Sequence, residues 1–354
     1  MKKILPILMV CAAAGLAFAG GSKQDSGKGG ASSASAFKVG LVTDVGGVND
    51  QSFNQSAWIG LQRFRDATGS QASYIESKDE SNYAPNINTF VDGKNNFIWG
   101  VGFMLADAFE KAGKDYPTQQ FAIIDYAYDP AQIPNKNVTG VIFAQEECSF
   151  LVGYIAGKMT KTGKVGHING VPSPTMENFA VGYFAGVLTA NPDVQILGQY
   201  SGSFSDPAAG KNIANQYYAE GADIIYSAAG ATGNGAIEAA KEQNKWAIGV
   251  DMDQNHIAPN NVLTSALKRV DNAIYDVSEQ ARQGTLKGGS TLRYNLKNNG
   301  VGYATTGSHI PQEVINQVES IKAKIISGEQ KVPATAADLE AMFPGRYTMP
   351  VMAN

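Results

Sequence analysis

Short apolar runs alternate with helical patterns from Phe37 over most of the remaining chain. The apolar runs have strand length and predict strands at 38–43, 72–75, 97–101, 121–125, 138–143, 164–168, 195–200, 223–228, 246–250 and 262–265. The patterns between them predict helices at 52–68, 83–92, 105–116, 146–160, 175–190, 206–219, 234–244, 270–283 and 311–327. Alternation of this kind favours parallel sheets that are covered by helices on both faces.

The number of strands and the chain length together predict two domains. Ten strands would make an unusually wide single sheet, and 354 residues exceed the usual size of one hydrophobic core. We therefore expect an α/β protein with two doubly wound parallel-sheet domains that face each other. The first would comprise 37–144 and 266–305 and the second 145–265 and 306–345, so the chain crosses between them several times.

The N-terminal region differs in composition from the rest of the chain. Two lysines precede an apolar run that ends in a small-residue cleavage pattern, which are the three parts of an export signal over 1–19. The mature protein is then expected to begin near Gly20, outside the cytoplasm. Residues 20–36 are rich in Gly and Ser and predict a flexible tether. No later apolar run approaches the roughly 20 residues that are needed to span a bilayer.

Charge and cysteine content narrow the function classes. Removal of Lys2 and Lys3 with the signal takes the 28 basic residues to 26 against 32 acidic residues, a net charge near −6. The mature chain has no basic run that could follow a phosphate backbone, so nucleic acid is not an expected partner. Cys148 is the only cysteine after the signal, so no internal disulfide can form, and its helical context predicts a buried thiol.

In the first half of the chain, polar and aromatic residues follow the predicted strands. Asp44 closes the first strand, and Phe53 and Asn54 begin the helix beyond the next loop. Asp125 closes the fourth strand. Open α/β sheets hold their ligands at the carboxyl ends of the strands, so these side chains are candidates for ligand contact. The alternative role for each carboxylate is to cap a helix.

Similar groups recur in the second half. Phe204 follows the seventh strand, and Asp251 ends the ninth. The loop 228–236 has the order Gly-x-x-Gly-x-Gly, which is not the dinucleotide fingerprint. We expect Gly230 to bring the backbone close to a sugar, with a tight turn of positive φ as the alternative. A cleft between the domains would then carry rings and carboxylates on opposite walls.

These residue types suit a nucleoside. Two aromatic rings can stack on a flat heteroaromatic base, and an ionised aspartate can accept both hydroxyl hydrogens of a vicinal diol. The alternative is that Phe53 and Phe204 are core residues at helix starts. Phe103, after the third strand, is predicted to be buried in the first domain, with cover for the base as its alternative role.

The sequence offers no catalytic or metal-binding machinery. Residues 251–256 begin like a calcium loop, but His256 replaces the required glycine and Val262 the bidentate glutamate. The three histidines do not have the spacing of metal ligands, and no serine nucleophile elbow is present. We therefore expect a binding protein without a cofactor or metal, and not an enzyme.

Long ordered motifs resemble the Bmp (basic membrane protein) family of ABC-transporter substrate-binding lipoproteins. They are Val-Thr-Asp-x-Gly-Gly-x-x-Asp-x-Ser-Phe-Asn-Gln at 42–55, Gly-Val-Gly-Phe-x-Leu-Ala-Asp at 100–107, Ile-Gly-Val-Asp-x-Asp-Gln at 248–254 and Thr-Ser-x-Leu-Lys-Arg-Val-Asp at 264–271. The resemblance implies a type I periplasmic binding protein fold, with two domains joined by hinge strands. It also implies a monomer that binds guanosine, inosine or adenosine and delivers it to the permease of an ABC importer.

The resemblance also assigns site residues. In purine nucleoside receptors of this family, two phenylalanines hold the base, and aspartates and a lysine hold the ribose. The positions that match here are Phe53 and Phe204 for the base. Those that match for polar contacts are Asp44, Asp251 and Lys268, with Asn54, Asp125 and Gly230 as further candidates.

Two features depart from the family pattern. Residues 175–179 read Thr-Met-Glu-Asn-Phe where an Arg-Phe pair is common, which leaves the fine specificity open. Gly20 stands where these lipoproteins carry a lipid-bearing cysteine, so lipid anchoring is open too. A sugar or autoinducer receptor is the alternative, because a pyranose can also stack on an aromatic ring. A nucleoside hydrolase would need a dense calcium-binding aspartate cluster that this sequence lacks, and a role as a surface adhesin is neither supported nor excluded.

Overall fold

The computed structural model describes residues 36–129 and 131–352. The predicted signal peptide, 1–19, lies outside this range, as does all but the last residue of the predicted tether, 20–36.

Strands and helices alternate along the described chain. The strands are β1 (Lys38–Thr43), β2 (Gln71–Ile75), β3 (Phe97–Val101), β4 (Gln120–Ile124), β5 (Val138–Phe143), β6 (Lys164–Asn169), β7 (Gln195–Tyr200), β8 (Ile224–Ala228), β9 (Trp246–Asp251), β10 (Val262–Lys268), β11 (Thr291–Tyr294), β12 (Val301–Tyr303) and β13 (Val351–Met352). The α-helices are α1 (Phe53–Thr68), α2 (Tyr83–Asp92), α3 (Ala106–Asp115), α4 (Gln145–Met159), α5 (Pro174–Ala190), α6 (Pro207–Ala219), α7 (Ala231–Gln243), α8 (Val270–Arg282), α9 (Gln312–Ser327) and α10 (Ala336–Met342).

The strands form two sheets. One has the order β11-β5-β4-β3-β1-β2 and the other the order β12-β10-β9-β8-β6-β7-β13. All pairings within them are parallel except that of β12 with β10. We call the six-stranded sheet with α1, α2, α3 and α8 the first lobe, and the seven-stranded sheet with the remaining helices the second lobe. The predicted α/β architecture of two doubly wound parallel sheets is confirmed.

The central strands are apolar because helices cover both of their faces. Val39, Leu41 and Val42 of β1 are fully buried, and so are Ile224 and Ile225 of β8. Continuous apolar runs of this kind are typical of parallel strands in α/β sheets. The polar residues that follow these runs are thereby placed at the carboxyl ends of the two sheets.

The chain passes between the lobes after β5, after β10 and between β11 and β12. The predicted first domain included residues 266–268 and 301–303, and this was wrong. Both segments lie in the second sheet, where Ala266 pairs with Tyr303 and Lys268 with Val301. The partner of a three-residue strand depends on where the chain returns to the sheet, which the strand's own residues do not encode. The other predicted domain boundaries stay predictions.

Candidate functional site

A cavity lies between the two lobes, where the carboxyl ends of their strands meet, with about 500 Å³ of empty space that includes its opening to solvent. All eight residues that the sequence singled out line it, namely Asp44, Phe53, Asn54, Asp125, Phe204, Gly230, Asp251 and Lys268. The structure therefore brings residues that are more than 200 positions apart in the chain into one site. Whether each contacts a ligand stays a prediction.

The first turn of α1 forms one wall of the cavity and is fixed by Asp50. The Asp50 carboxylate accepts hydrogen bonds from the backbone N–H groups of Ser52, Asn54 and Gln55, at 2.9, 2.8 and 3.0 Å. These bonds satisfy donors at the helix start that have no intrahelical partner. They hold Phe53 and Asn54 at the cavity. Asp50 also lines the cavity, and our sequence analysis missed it although an aspartate just before a helix start is a capping signal.

Asp44 and Asn54 form a buried polar pair. Asn54 Nδ2 donates to Asp44 Oδ1 at 2.8 Å, and the Gly46 N–H donates to the same oxygen at 3.0 Å. Burial raises the pKa of Asp44 to about 6, although both hydrogen bonds oppose this shift. The Asn54 carbonyl oxygen is buried and has no hydrogen-bond partner among the described residues. The pair therefore keeps an acceptor available for a donor on a ligand.

Lys268 at the end of β10 reaches across the cleft to Asp125 of the first lobe. The Lys268 Nζ atom lies 2.5 Å from Asp125 Oδ2, and the two side chains are 2% and 6% exposed. Nζ also lies 4.9 Å from the ring centroid of Phe53 and 5.5 Å from that of Phe179. Asp125 Oδ1 is buried and has no partner within the described part of the chain. The ion pair thus leaves one carboxylate oxygen free to accept a hydrogen bond.

Asp251 sits at the end of β9 with a φ of 63° and closes the second lobe's side of the cleft. Its carboxylate accepts a hydrogen bond from the Ser52 hydroxyl of the first lobe. Burial raises the pKa of Asp251 to about 7, and the attraction to Lys268 opposes the shift. A carboxyl group with such a pKa is part protonated near neutral pH.

Aromatic side chains from both lobes line the cavity. Phe53 and Phe204 are half-buried, line the cavity and also pack against the main core. Their stacking on a base stays a prediction. Phe103, predicted as a core residue of the first domain, lines the cavity as well. Its ring meets that of Phe204 at a centroid distance of 6.2 Å and an angle of 74°, an edge-to-face contact across the cleft.

Two further segments of the second lobe complete the lining. Gly230 has a φ of 55°, as expected for the turn between β8 and α7, and its backbone borders the cavity. Thr175, Met176 and Phe179 at the start of α5 also line the cavity. These three residues lie in the segment that departs from the family pattern, and sequence reasoning gave them no role. The position of α5 after β6 was the available signal.

Among residues 36–129 and 131–352, no group of three or more His, Cys, Asp or Glu side chains is placed to hold a metal ion. In the same ranges, no helix combines the length and the apolar character that crossing a bilayer requires.

Two doubly wound lobes joined by three chain crossings, with a polar and aromatic cavity between them, define a two-lobed solute-binding receptor. The chain belongs to the Bmp family, since residues 37–336 match the family described as ABC transporter substrate-binding protein PnrA-like. It is therefore an ABC transporter substrate-binding protein, and its family consists of receptors and not of enzymes.

Curated relatives and solved structures agree with this assignment. The chain is 38% identical to the CD4+ T-cell-stimulating antigen of Listeria innocua over 94% of this chain and 99% of that protein. It is 34% identical to the ABC transporter nucleoside-binding protein BmpA of Lactococcus lactis, with the same two coverages. An ABC transporter solute-binding protein from Aeropyrum pernix has a TM-score of 0.78 and 28% identity, over 88% of this chain and 97% of that one.

Proposed function

We propose that the protein binds purine nucleosides in the cleft between its lobes and delivers them to the membrane permease of an ABC importer. The observation that carries the proposal is the pairing of aromatic rings with buried polar groups in one cavity. Phe53 and Phe204 come from different lobes, and four carboxylates and one lysine line the same cavity. The Lactococcus lactis relative, which is named as nucleoside-binding, supports the same ligand class.

In this proposal the base lies between Phe53 and Phe204. Offset stacking on each ring adds about 0.5–1.5 kcal/mol beyond the burial of area. The Asn54 carbonyl oxygen has no partner among the described residues, so it can accept from an N–H of the base. A purine base has a flat ring that can stack between the two phenylalanines, and it has N–H donors at its edge for the Asn54 carbonyl oxygen.

The ribose is assigned to Asp44, Asp251 and Lys268, with Asp125 and Gly230 beside them. A carboxylate can accept two hydroxyl hydrogens, and Asp125 Oδ1 lacks a donor within the described residues. Lys268 supplies N–H donors for the hydroxyl oxygens. A ligand that touches both lobes favours the closed arrangement, because only that arrangement offers it all of these contacts.

Isothermal titration calorimetry with guanosine, inosine and adenosine tests the proposal. We expect binding of at least one purine nucleoside, and no heat from any of the three would refute it. Ribose and galactose serve as the comparison, since binding of a free sugar alone would favour the sugar-receptor alternative. Mass spectrometry of ligand released by denaturing the purified protein gives an independent identification.

Export underlies delivery to the importer. The pattern over 1–19 supports secretion, so we place the mature protein outside the cytoplasm. We also propose that it acts as a monomer. N-terminal sequencing of the purified mature protein tests this, with a start near Gly20 expected. A protein that retains Met1 would contradict it.

A further inference from the structure

Outside the cavity, a second set of polar contacts joins the lobes. Gln254 of the second lobe is 1% exposed, and its Nε2 donates to the Gln51 carbonyl of the first lobe at 2.9 Å. Asn234 at the start of α7 donates through Nδ2 to the Asp50 carbonyl, also at 2.9 Å. Neither Gln254 nor Asn234 lines the cavity. We call these two side chains with the two carbonyls the cross-lobe latch.

The second lobe holds Gln254 in position before any contact with the first lobe. The side-chain oxygen of Gln254, Oε1, accepts a hydrogen bond from the Val250 N–H at 2.9 Å. The backbone N–H of Gln254 donates to Ser265 Oγ at 3.1 Å. Nε2 also lies 3.3 Å from Asn234 Oδ1, so the two latch side chains hold each other. A pre-positioned donor loses little side-chain entropy when it meets its acceptor.

The first lobe presents its half of the latch on a rigid segment. Gln51 has a φ of 56°, and the Asp50 carboxylate is tied to the first turn of α1. Phe53 and Asn54, which line the cavity, follow within that turn. The carbonyls of Asp50 and Gln51 therefore belong to the same short segment as the cavity wall, and a movement of these carbonyls also moves Phe53 and Asn54.

We propose that Asn234 and Gln254 are positioning residues that set ligand affinity by stabilising the closed arrangement of the lobes without touching the ligand. Both latch bonds run between lobes, so they are made only when the cleft is closed. Opening must break them, which slows release of a bound ligand. Each bond is neutral, and its loss is expected to raise the dissociation rate about fivefold.

The test uses Asn234→Ala, Gln254→Met and the double variant. Gln216→Met is the matched control, because exposed Gln216 bonds only Glu220 of the same helical region among the described residues. Stopped-flow measurement with guanosine should show dissociation about tenfold to thirtyfold faster in the double variant, with a nearly unchanged association rate. The control should match the parent protein in both rates.

A second readout needs no ligand and separates the latch from a general structural role. The exposed residues Lys78 and Ala208 lie in different lobes and can be changed to cysteine for spin or fluorescent labels. Cys148 is fully buried and should not be labelled in the folded protein. The double latch variant should show a longer distance between the labels than the parent, and the control should not.

The affinity measurement rests on the proposed nucleoside function, whereas the distance measurement rests only on the two-lobed fold. If the parent protein binds none of guanosine, inosine and adenosine, the proposed function fails and the distance measurement still decides on the latch. An unchanged distance in the double variant overturns the latch, whatever happens to affinity. If the double variant shows an increased distance but an unchanged dissociation rate of bound guanosine, the latch does not set ligand affinity.

Discussion

The cleft and the helix pair of α4 and α5 are both buried in this protein, yet they are built in different ways. In the helix pair, glycines let the two backbones touch. A Cβ atom on Gly153 would lie 2.2 Å from the Tyr183 carbonyl oxygen, and one on Gly186 would lie 2.1 Å from that of Phe150. In the cleft, Asp125 Oδ1 and Asn54 Oδ1 are buried without a partner from the described residues.

This difference separates stability from function. Close packing maximises contacts between apolar and backbone atoms, and a helix pair of this kind contributes to stability. A buried polar atom without a partner lowers stability, and in a binding cleft a ligand can supply the missing bond. The comparison predicts that changes at the close contacts of α4 with α5, away from the first turns of α5 that line the cavity, act on stability alone. Changes in the cleft are expected to act on binding and on charge balance.

Breaking the Lys268–Asp125 pair should have the largest effect. In Lys268→Met, the Asp125 carboxylate stays buried without its cation, and the free energy of unfolding should fall by about 3–5 kcal/mol. The double variant Lys268→Met with Asp125→Asn should recover most of this loss, because it removes both charges. Urea unfolding measures both, and Lys241→Met, at an exposed lysine, is the control. A loss below about 1 kcal/mol in the single variant would contradict an uncompensated buried charge.

Overpacking the helix pair should have the next largest effect. Gly186→Ala forces its Cβ atom against the Phe150 carbonyl, so α4 and α5 must move apart, and the free energy of unfolding should fall by about 2–3 kcal/mol. Gly302→Ala is the matched control, since a Cβ atom there meets nothing within 4 Å. Ligand affinity of the folded variant should equal that of the parent. A change in affinity as large as that of the cleft variants would remove the distinction between the two regions.

Removal of one ring should weaken binding without a comparable loss of stability. Phe204→Ala and Phe53→Ala should each reduce guanosine affinity by about 2 kcal/mol, which corresponds to about thirtyfold. Tyr74→Ala removes an exposed ring outside the cavity and serves as the control. Calorimetry measures the affinities. Unchanged affinity in both cleft variants would eliminate the aromatic clamp.

The last prediction concerns the pH dependence of stability. Burial raises the pKa of Asp251 to about 7 in the folded state, so the folded protein holds this proton more tightly than the unfolded chain. The contribution of this Asp251 proton to the free energy of unfolding is fully present below pH 4 and is lost as the pH rises through about 7. Asp251→Asn lacks this dependence, so its stability relative to that of the parent protein should rise as the pH goes from 4 to 8. Thermal unfolding across this pH range measures the difference, and parallel curves would show that Asp251 does not titrate there.

Much of the fold could be predicted because its signals are local. The bounds of β1, β3, β5 and β7 agree with the apolar runs that predicted them. The short strands β11 and β12 were missed, because β11 alternates between exposed and half-buried residues and β12 has only three residues. Their assignment depends on the edge of the sheet that they reach.

The candidate site was predictable in part for a related reason. Asp44, Asp125 and Asp251 follow apolar strands directly, so their position at the carboxyl ends could be read from the order of residues. Phe179 and Asp50 could not be assigned to the cavity in this way. Phe179 is one of many apolar residues on α5, and only the position of the first turns of this helix beside the cavity separates it from its neighbours.

The amino-acid sequence by itself determined the alternation of strands and helices, the two-sheet α/β class and the chemical types of side chain that end the strands. These follow from hydrophobic periodicity and turn residues, which act over a few neighbouring positions. The tertiary structure alone decided that Lys268 pairs with Asp125, that Ser52 donates to Asp251 and that Gln254 donates to the Gln51 carbonyl. These contacts join residues far apart in the chain, so they exist only after both sheets have formed and the lobes have met.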